Sequence, residues 1–269
     1  MNKRGRSRST PPWPVAIPAI IALAFLVLPV LGLLIRAPWG RLIELLTSRT
    51  SLDALRLSLV TALSATVISI AIGLPLAWLL ARAEFPGRRF ARALVTVPLV
   101  LPPVVGGIAL LLAFGRRGMV GQYLDSCCGI TLPFSTPGVV VAETFVAMPF
   151  LIITVEGALR GLDTRLEDAA ATLGASKWAV FRRVTLPLIG PSLIAGGVLT
   201  FARALGEFGA TITFAGNLPG VTQTLPLAVY MGLEGDPDQA IALSLVLLLV
   251  SIAVLVGLRD RWLRTGVAS

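Results

Sequence analysis

The chain has 269 residues, of which 55% are hydrophobic and only 14% charged, with a mean hydropathy of +0.86. Soluble globular domains carry roughly 25% charged residues, so the composition excludes that class and points to a polytopic membrane protein whose core is its helix bundle. The net charge of +9 is not a nucleic-acid signature, because the basic residues stand in short loops beside apolar runs, where they set topology. The chain has no His, which removes the commonest catalytic base and metal ligand.

Residues 1–14 form a basic segment with Lys3, Arg4, Arg6 and Arg8, followed by Pro11, Pro12 and Pro14. The apolar run Val15 to Ile35 is too long for a signal-peptide core and lacks a small-residue cleavage site, so it reads as a retained first span. Pro29 is expected to kink it. Leu42, Ile43, Leu45 and Leu46 predict a short interfacial helix. The second span runs from Ala54 to Leu80 and carries Ser58, Thr61, Ser64, Ala65 and Ser69, small residues that let helices approach closely. A basic hairpin from Arg82 to Arg92 turns at Pro86-Gly87.

The third span, Ala93 to Phe114, holds Pro98, Pro102-Pro103 and Gly106-Gly107. Irregular backbone inside a bilayer survives only when buried in protein or lining an aqueous cavity. The segment therefore reads either as a pathway or gate element or as a kinked packing helix. Residues 115–136 are polar and rich in turn formers. They include the adjacent Cys127 and Cys128, which form a disulfide only with strain and are too few for a zinc site. The fourth span is Gly138 to Leu159, with Glu143 and Glu156 near its ends. The fifth runs from Leu188 to Phe214 and the sixth from Ala240 to Leu258, leaving residues 259–269 as a short basic tail.

Six spans with the N-terminus inside put 16 of the 23 Lys and Arg residues on the inner side and 6 on the outer, with Arg203 inside the fifth span. The excess of Lys and Arg on cytoplasmic loops predicts that both termini, and the loop of about 160–187, face the cytoplasm. Residues 15–258 thus form one six-helix transmembrane domain.

The loop after the fourth span is the most patterned polar stretch. Thr164 and Glu167 have the spacing of a capping box, in which each side chain satisfies a free amide at a helix start. Alanines carry a helix to Gly174, a natural stop. Ser176 can cap a second short helix with Trp178, Phe181 and Val184 at helical spacing, and Pro187 ends the unit. A small-residue helical surface between two spans suits docking against another protein.

Glu167, Ala169, Gly174, Val184, Leu186 and Pro187 resemble the "EAA" loop of bacterial ABC importer permeases; many members have Ala where Asp168 stands. The resemblance implies a type I ABC importer permease fold, an all-α integral membrane protein in which this loop is a coupling helix. That helix inserts into a groove of a cytoplasmic ABC ATPase subunit. It assigns ATPase coupling to Glu167, Asp168, Ala169, Ala170 and Gly174, with Glu167 making polar contacts at the groove.

Arg203 and Glu207 are spaced i, i+4 in an apolar helix. Charges at such depth are costly and face the bundle interior in pairs. They read either as an ion pair locking the fifth helix or as a cavity group in which Arg203 attracts an oxyanion. Asn217, Thr222, Gln223 and Thr224 add neutral hydrogen-bonding groups. The run Leu205-Gly206-Glu207-Phe208-Gly209-Ala210-Thr211, with Phe214-Ala215-Gly216-Asn217, Pro219-Gly220, Thr222-Gln223-Thr224-Leu225-Pro226-Leu227-Ala228 and Tyr230, is similar to the molybdate permease branch of that family. Sulfate/thiosulfate permeases match part of it. This resemblance covers roughly residues 50–260. It implies a homodimer in the bacterial inner membrane, fed with molybdate or tungstate by a periplasmic molybdate-binding protein. Its third and fifth helices would line a pathway or gate containing Pro102, Pro103, Arg203, Glu207, Thr211, Thr213 and Asn217.

No Gly-x-x-x-x-Gly-Lys-Ser/Thr loop is present, so no cofactor is expected on this chain, and ATP and Mg would be held by the partner ATPase. An ion-coupled secondary carrier would account for Arg203 and Glu207 but not for the patterned loop. An intramembrane enzyme lacks both a His-Glu-x-x-His motif and an evident nucleophile–base pair. No catalytic residue and no metal ligand is expected.

Overall fold

The computed structural model describes residues 13–265, and the elements among them are helices. Helix α1 is Trp13–Ile35 and α2 is Leu42–Thr47, the predicted interfacial helix. The second span is one helical rod, Arg49–Arg82. Within it α3 (Arg49–Ile68) passes through a π turn, Ser69–Gly73, into α4 (Leu74–Arg82). Helices α5 (Arg88–Val100) and α6 (Pro103–Phe114) follow, then α7 (Gly121–Cys128) and the long α8 (Thr136–Gly161). The patterned loop holds α9 (Arg165–Thr172) and α10 (Lys177–Val180). A second π turn, Phe181–Thr185, leads into α11 (Leu186–Leu205). The chain ends in α12 (Gly209–Phe214), α13 (Leu225–Gly235) and α14 (Pro237–Thr265). Residues 1–12, with Lys3, Arg4, Arg6 and Arg8, and residues 266–269 lie outside the described residues.

Among the described residues five helices are long and apolar enough to cross a membrane, and the bent pair α5–α6 would supply a sixth. Three expected boundaries are corrected. The third span is two helices meeting at 120°. Leu101 is extended ahead of Pro102 and Pro103, because a residue before proline is driven out of the α region and proline offers no amide to continue the ladder. The fifth span stops at Leu205, nine residues before its expected end at Phe214, and restarts as α12. The last helix does not stop at Leu258 but runs on to Thr265, through most of the residues read as a tail.

Helix α8 is the centre. Thirteen of its residues are buried, including Ala142, Val146, Leu151, Ile152, Val155 and Leu159. Leu80 and Ala77 of α4 and Ile189 of α11 pack on its lower half, and Phe214 and Ala210 of α12 with Leu110 of α6 pack on its upper half. A third cluster is built from alanines: Ala62 and Ala65 of α3, Ala147 of α8 and Ala204 of α11. Lipid tails are as apolar as leucine, so these helices gain mainly from close van der Waals contact, and small residues permit it. By contrast α1 buries no residue in this chain, which fits a helix bathed in lipid.

Two faces follow from the polar contacts. Arg41 pairs with Asp238 at 3.4 Å, Gln239 donates to Ser51 Oγ at 3.2 Å, and Thr136 donates to Val221 O at 2.8 Å. These contacts gather the ends 41–51, 136, 221 and 238 on one face. Arg82 meets Glu167, and Arg92 meets Glu156, which gathers the 82–92 hairpin and the 162–187 loop on the other. The 82–92 hairpin and the 162–187 loop, assigned to one side by charge counting, therefore share a face.

Helices α6 and α12 touch backbone to backbone. A Cβ added at Gly107 would clash with Thr213 and lie 2.9 Å from Ala210 O. Gly107→Ala should therefore destabilise the protein by about 1–3 kcal/mol, read as a lower Tm of the detergent-purified chain. Gly157→Ala, at a helical position with nothing within 4 Å, should not lower Tm.

Candidate functional site

Two polar assemblies stand out, one on each side of α8. The first is the 162–187 loop. Helix α9 does not start with the expected capping box. Thr164 is already helical (φ −64°, ψ −20°) and its side chain makes no capping bond, whereas a capping side chain needs extended backbone. Asp163 takes that task, its Oδ1 accepting the Arg165 amide at 3.0 Å. Gly174 behaves as expected: its φ is +86°, and the Ala175 and Gly174 amides bond back to Ala170 O (3.1 Å) and Ala171 O (2.9 Å), closing the helix in a Schellman turn. Ser176 Oγ caps α10 through the Ala179 amide at 3.2 Å.

The two faces of this unit differ. Asp168, Ala169, Thr172, Leu173 and Gly174 are exposed, with Leu173 89% exposed and Trp178 68%. Glu167 and Ala170 are half-buried and face the bundle. Glu167 lies 3.2 Å from Arg82 Nη2 through Oε2 and accepts from the same nitrogen at 3.3 Å through Oε1. Thr185 Oγ1 donates to Oε1 at 2.7 Å. Trp178 stacks on Phe181, whose ring meets Trp78 of α4 edge-on at 6.4 Å. Sequence reasoning missed the roles of Arg82 and Thr185. Arg82 carries a signal in the sequence, a single charge at the end of an apolar span, but local spacing names no partner for it.

Beside this loop Glu156, nearly buried, holds two guanidinium groups, Arg92 at 2.7 Å and Arg160 at 3.1 Å. Arg88 Nε donates to Leu80 O at 2.8 Å, and Arg92 to the same carbonyl at 3.2 Å. Cations placed on the free carbonyls of a helix C-terminus satisfy them and oppose the helix dipole, and here they also fix the 82–92 hairpin to α4 and α8.

The second assembly surrounds the two broken helices. Glu207 is 1% exposed. Its Oε2 lies 2.7 Å from Arg203 Nη2, and its Oε1 accepts the Ala210 amide at 2.8 Å. One carboxylate thus ties the end of α11 to the first turn of α12. Gly209 sits against Pro103, where an added Cβ would come within 2.8 Å of the proline ring. Thr213 bonds to Gly209 O and packs on Gly107. Of the expected pathway residues the structure brings Pro103, Arg203, Glu207 and Thr213 to this junction; Pro102 forms the bend beside it. Thr211 is fully buried, and its Oγ1, like Asn217 Oδ1 and Thr224 Oγ1, has no hydrogen-bond partner among the described residues. Glu143 on α8, 1% exposed, accepts from Thr61 of α3 at 2.9 Å through Oε1. Cys127 and Cys128 are free and exposed at the end of α7, far in sequence from either assembly.

Helices long enough to cross a membrane, a bundle opened by two chain breaks, and a patterned helical loop on one face together define a membrane transport subunit. Residues 69–267 match the family described as "Binding-protein-dependent transport system inner membrane component", and the chain belongs to that family. It is 50% identical over 251 residues to the "Molybdenum transport system permease protein ModB" of Mycobacterium tuberculosis, covering 93% of this chain and 94% of that one. It is 44% identical to the ModB of Escherichia coli over 78% of this chain and 92% of the other. The sulfate transport system permease protein CysT of E. coli is 36% identical over 85% and 82%. Among solved structures, a bacterial ABC transporter importing alginate superimposes with a TM-score of 0.74 over 96% of both chains at 19% identity, which shows the shared fold.

The Arg203–Glu207 pair yields a signed prediction. Arg203→Met strands a buried carboxylate and should cost about 3–5 kcal/mol. Adding Glu207→Gln keeps an acceptor for the Ala210 amide and removes the stranded charge. The double variant should therefore melt above Arg203→Met alone, as read by thermal unfolding in detergent.

Proposed function

We infer that this chain is the membrane-spanning permease subunit of an ATP-driven importer for molybdate, a multi-pass inner-membrane protein. The observation that carries the substrate is the 50% identity to a molybdenum permease along nearly the whole of both chains, against 36% to a sulfate permease. The reading adds a homodimer with both termini in the cytoplasm. Two ABC ATPase subunits, holding ATP and Mg, sit under the 162–187 loops, and a periplasmic molybdate-binding protein docks on the opposite face. The positive-inside bias and the clustering of the loops on two faces support this orientation.

In this mechanism the exposed side of the loop, Asp168, Ala169, Leu173 and Gly174, enters the ATPase groove. The small side chains let the two surfaces approach closely, and Gly174 sets the turn between the short helices. ATP closes the ATPase dimer, the loops move together, and the transmembrane halves switch from inward- to outward-facing. The broken helices supply the gate. Because α12 is a separate six-residue helix seated on α6, it can shift with α6 without bending α11. The half-buried Thr213 and Asn217 add neutral hydrogen-bonding groups there. Neutral donors suit release of a divalent oxyanion, since dense positive charge would trap it.

The test is ATP hydrolysis and uptake in proteoliposomes containing this chain, the ATPase subunit and the binding protein. Molybdate-loaded binding protein should stimulate hydrolysis several-fold and drive molybdate uptake, while sulfate should not. Gly174→Asp adds a charge and strains a left-handed residue by about 1–2 kcal/mol, and should abolish coupled uptake while the spans remain folded. Equal stimulation by sulfate-loaded protein would shift the substrate to oxyanions in general, and uptake without any ATPase subunit would refute the importer.

A further inference from the structure

Cys127 and Cys128 are the only cysteines in the sequence, and neither takes part in the two assemblies described above. They end α7, a helix held firmly at its start. An added Cβ at Gly121 would collide with the Gly115 and Phe114 carbonyls. The Met119 and Val120 amides bond to Leu112 O (3.0 Å) and Ala113 O (2.8 Å) at the end of α6, and Arg116 pairs with Asp125 at 3.0 Å. At the far end the chain leaves the helix through Gly129, at φ +64°. There the Gly129 amide meets Asp125 O at 3.0 Å and the Ile130 amide meets Leu124 O at 3.1 Å. Consecutive side chains on a helix normally diverge. These two converge: the sulfurs lie 2.8 Å apart, and both thiols are free and exposed.

We propose that Cys127 and Cys128 are a redox-active dithiol on the outer face, which closes reversibly into a vicinal disulfide. Helix α7 stands between the end of α6 and the start of α8, and Thr136 at that start belongs to the face opposite the 162–187 loop. In the importer orientation that face is outside the membrane, where disulfides form and persist, whereas cytosolic thiols are kept reduced. Neighbouring Cα atoms across a trans peptide stand about 3.8 Å apart, below the roughly 4.4–6.8 Å that an unstrained disulfide spans. A bond closed here is therefore strained, and strain together with exposure makes a disulfide easily reduced and exchanged. The constraint that disfavours a permanent staple is the one that favours a reversible bond. The oxidant is an external organic disulfide. The Cys127 thiolate attacks one of its sulfurs, forming a mixed disulfide and releasing one thiolate. Cys128 then gives its proton to water and attacks Cys127 Sγ, closing the internal bond and releasing the second thiolate. The pair loses two electrons and two protons, and the external disulfide takes up both electrons and leaves as two thiols. Contact with Cys127 pushes the Cys128 thiol up from its ordinary value, so Cys128 keeps its proton until the second step.

The full chain, purified in detergent and reduced, is equilibrated in glutathione buffers of rising oxidised fraction, trapped with a maleimide and read by intact mass. The reduced chain should carry a maleimide on each of Cys127 and Cys128. The oxidised chain should carry none, with no glutathione and no link to a second copy. The transition should fall within the span of these buffers and reverse with reductant, whereas a structural disulfide resists the glutathione pool. Cys127→Ser and Cys128→Ser each lack the partner that closes the ring, so the remaining thiol should hold a stable glutathione adduct. If the unmodified chain keeps both maleimides in the most oxidising buffer, or carries stable glutathione adducts or interchain links in place of the internal bond, the proposal is wrong. A membrane-impermeant maleimide applied to intact cells should label the reduced pair, and labelling only after the membrane is opened would overturn the outer-face assignment. None of these readings uses molybdate or an ATPase subunit, so failure of the importer reading is seen separately, as absence of coupled uptake.

Discussion

A helix that stops within the apolar layer frees backbone amides and carbonyls that hydrocarbon cannot satisfy. In this protein Glu207 meets that demand. Its two oxygens hold the Arg203 guanidinium at 2.7 Å and the Ala210 amide at 2.8 Å, so the break between α11 and α12 is bridged by one buried side chain. The arrangement requires both partners. A carboxylate at 1% exposure without the guanidinium would be an uncompensated charge, and a guanidinium without the carboxylate would be the same problem with the opposite sign. The short α12 owes its position to this bridge and to the missing side chains at Gly107 and Gly209, which bring it onto α6.

The rest of the bundle makes that local break tolerable. Helix α8 runs unbroken beside both interrupted segments, and the alanine cluster around Ala147 holds α3 and α11 against it. The result is a continuous central helix flanked by two interrupted ones. The salt bridges at the opposite end hold connecting segments to the bundle. Glu156 with Arg92 and Arg160, and Glu167 with Arg82, fix a hairpin to α8 and a loop to the end of α4. Each carboxylate there is mostly withdrawn from water, unlike the exposed Arg49–Asp53 pair, so solvent competes less for these pairs.

Much of this was legible in the sequence. The second and fourth spans read correctly because their apolar runs are continuous and their ends are marked by charge or turn residues. Pro102-Pro103 announced the break in the third span. Gly174 announced the end of α9, since only a residue without a Cβ is at ease at φ +86°. The break at Leu205 was not legible. Gly206, Glu207 and Gly209 are individually compatible with a continuing apolar helix, and what stops it is contact with Pro103 and Gly107, about a hundred residues earlier. Helix α13 was missed because the turn formers around Leu218 to Thr224 masked a helix that begins with Pro226 in its first turn. The last helix overran its expected end for a simpler reason: hydropathy marks where apolar residues stop, and helical hydrogen bonding has no need to stop with them.

The capping box at Thr164 and Glu167 shows where the boundary lies. By itself the sequence determined the membrane class, the apolar runs, and the helix–glycine–helix form of the 162–187 loop. Each of these is set by composition or by hydrogen bonds between near neighbours in the chain. Only the tertiary structure decided where Glu167 points. Local spacing offered it an amide three residues back, but the fold offered a guanidinium 85 residues away and a hydroxyl 18 residues ahead. A charged partner in a mostly dry setting outweighs a neutral amide, and no local pattern can announce a competitor that folding alone brings within reach.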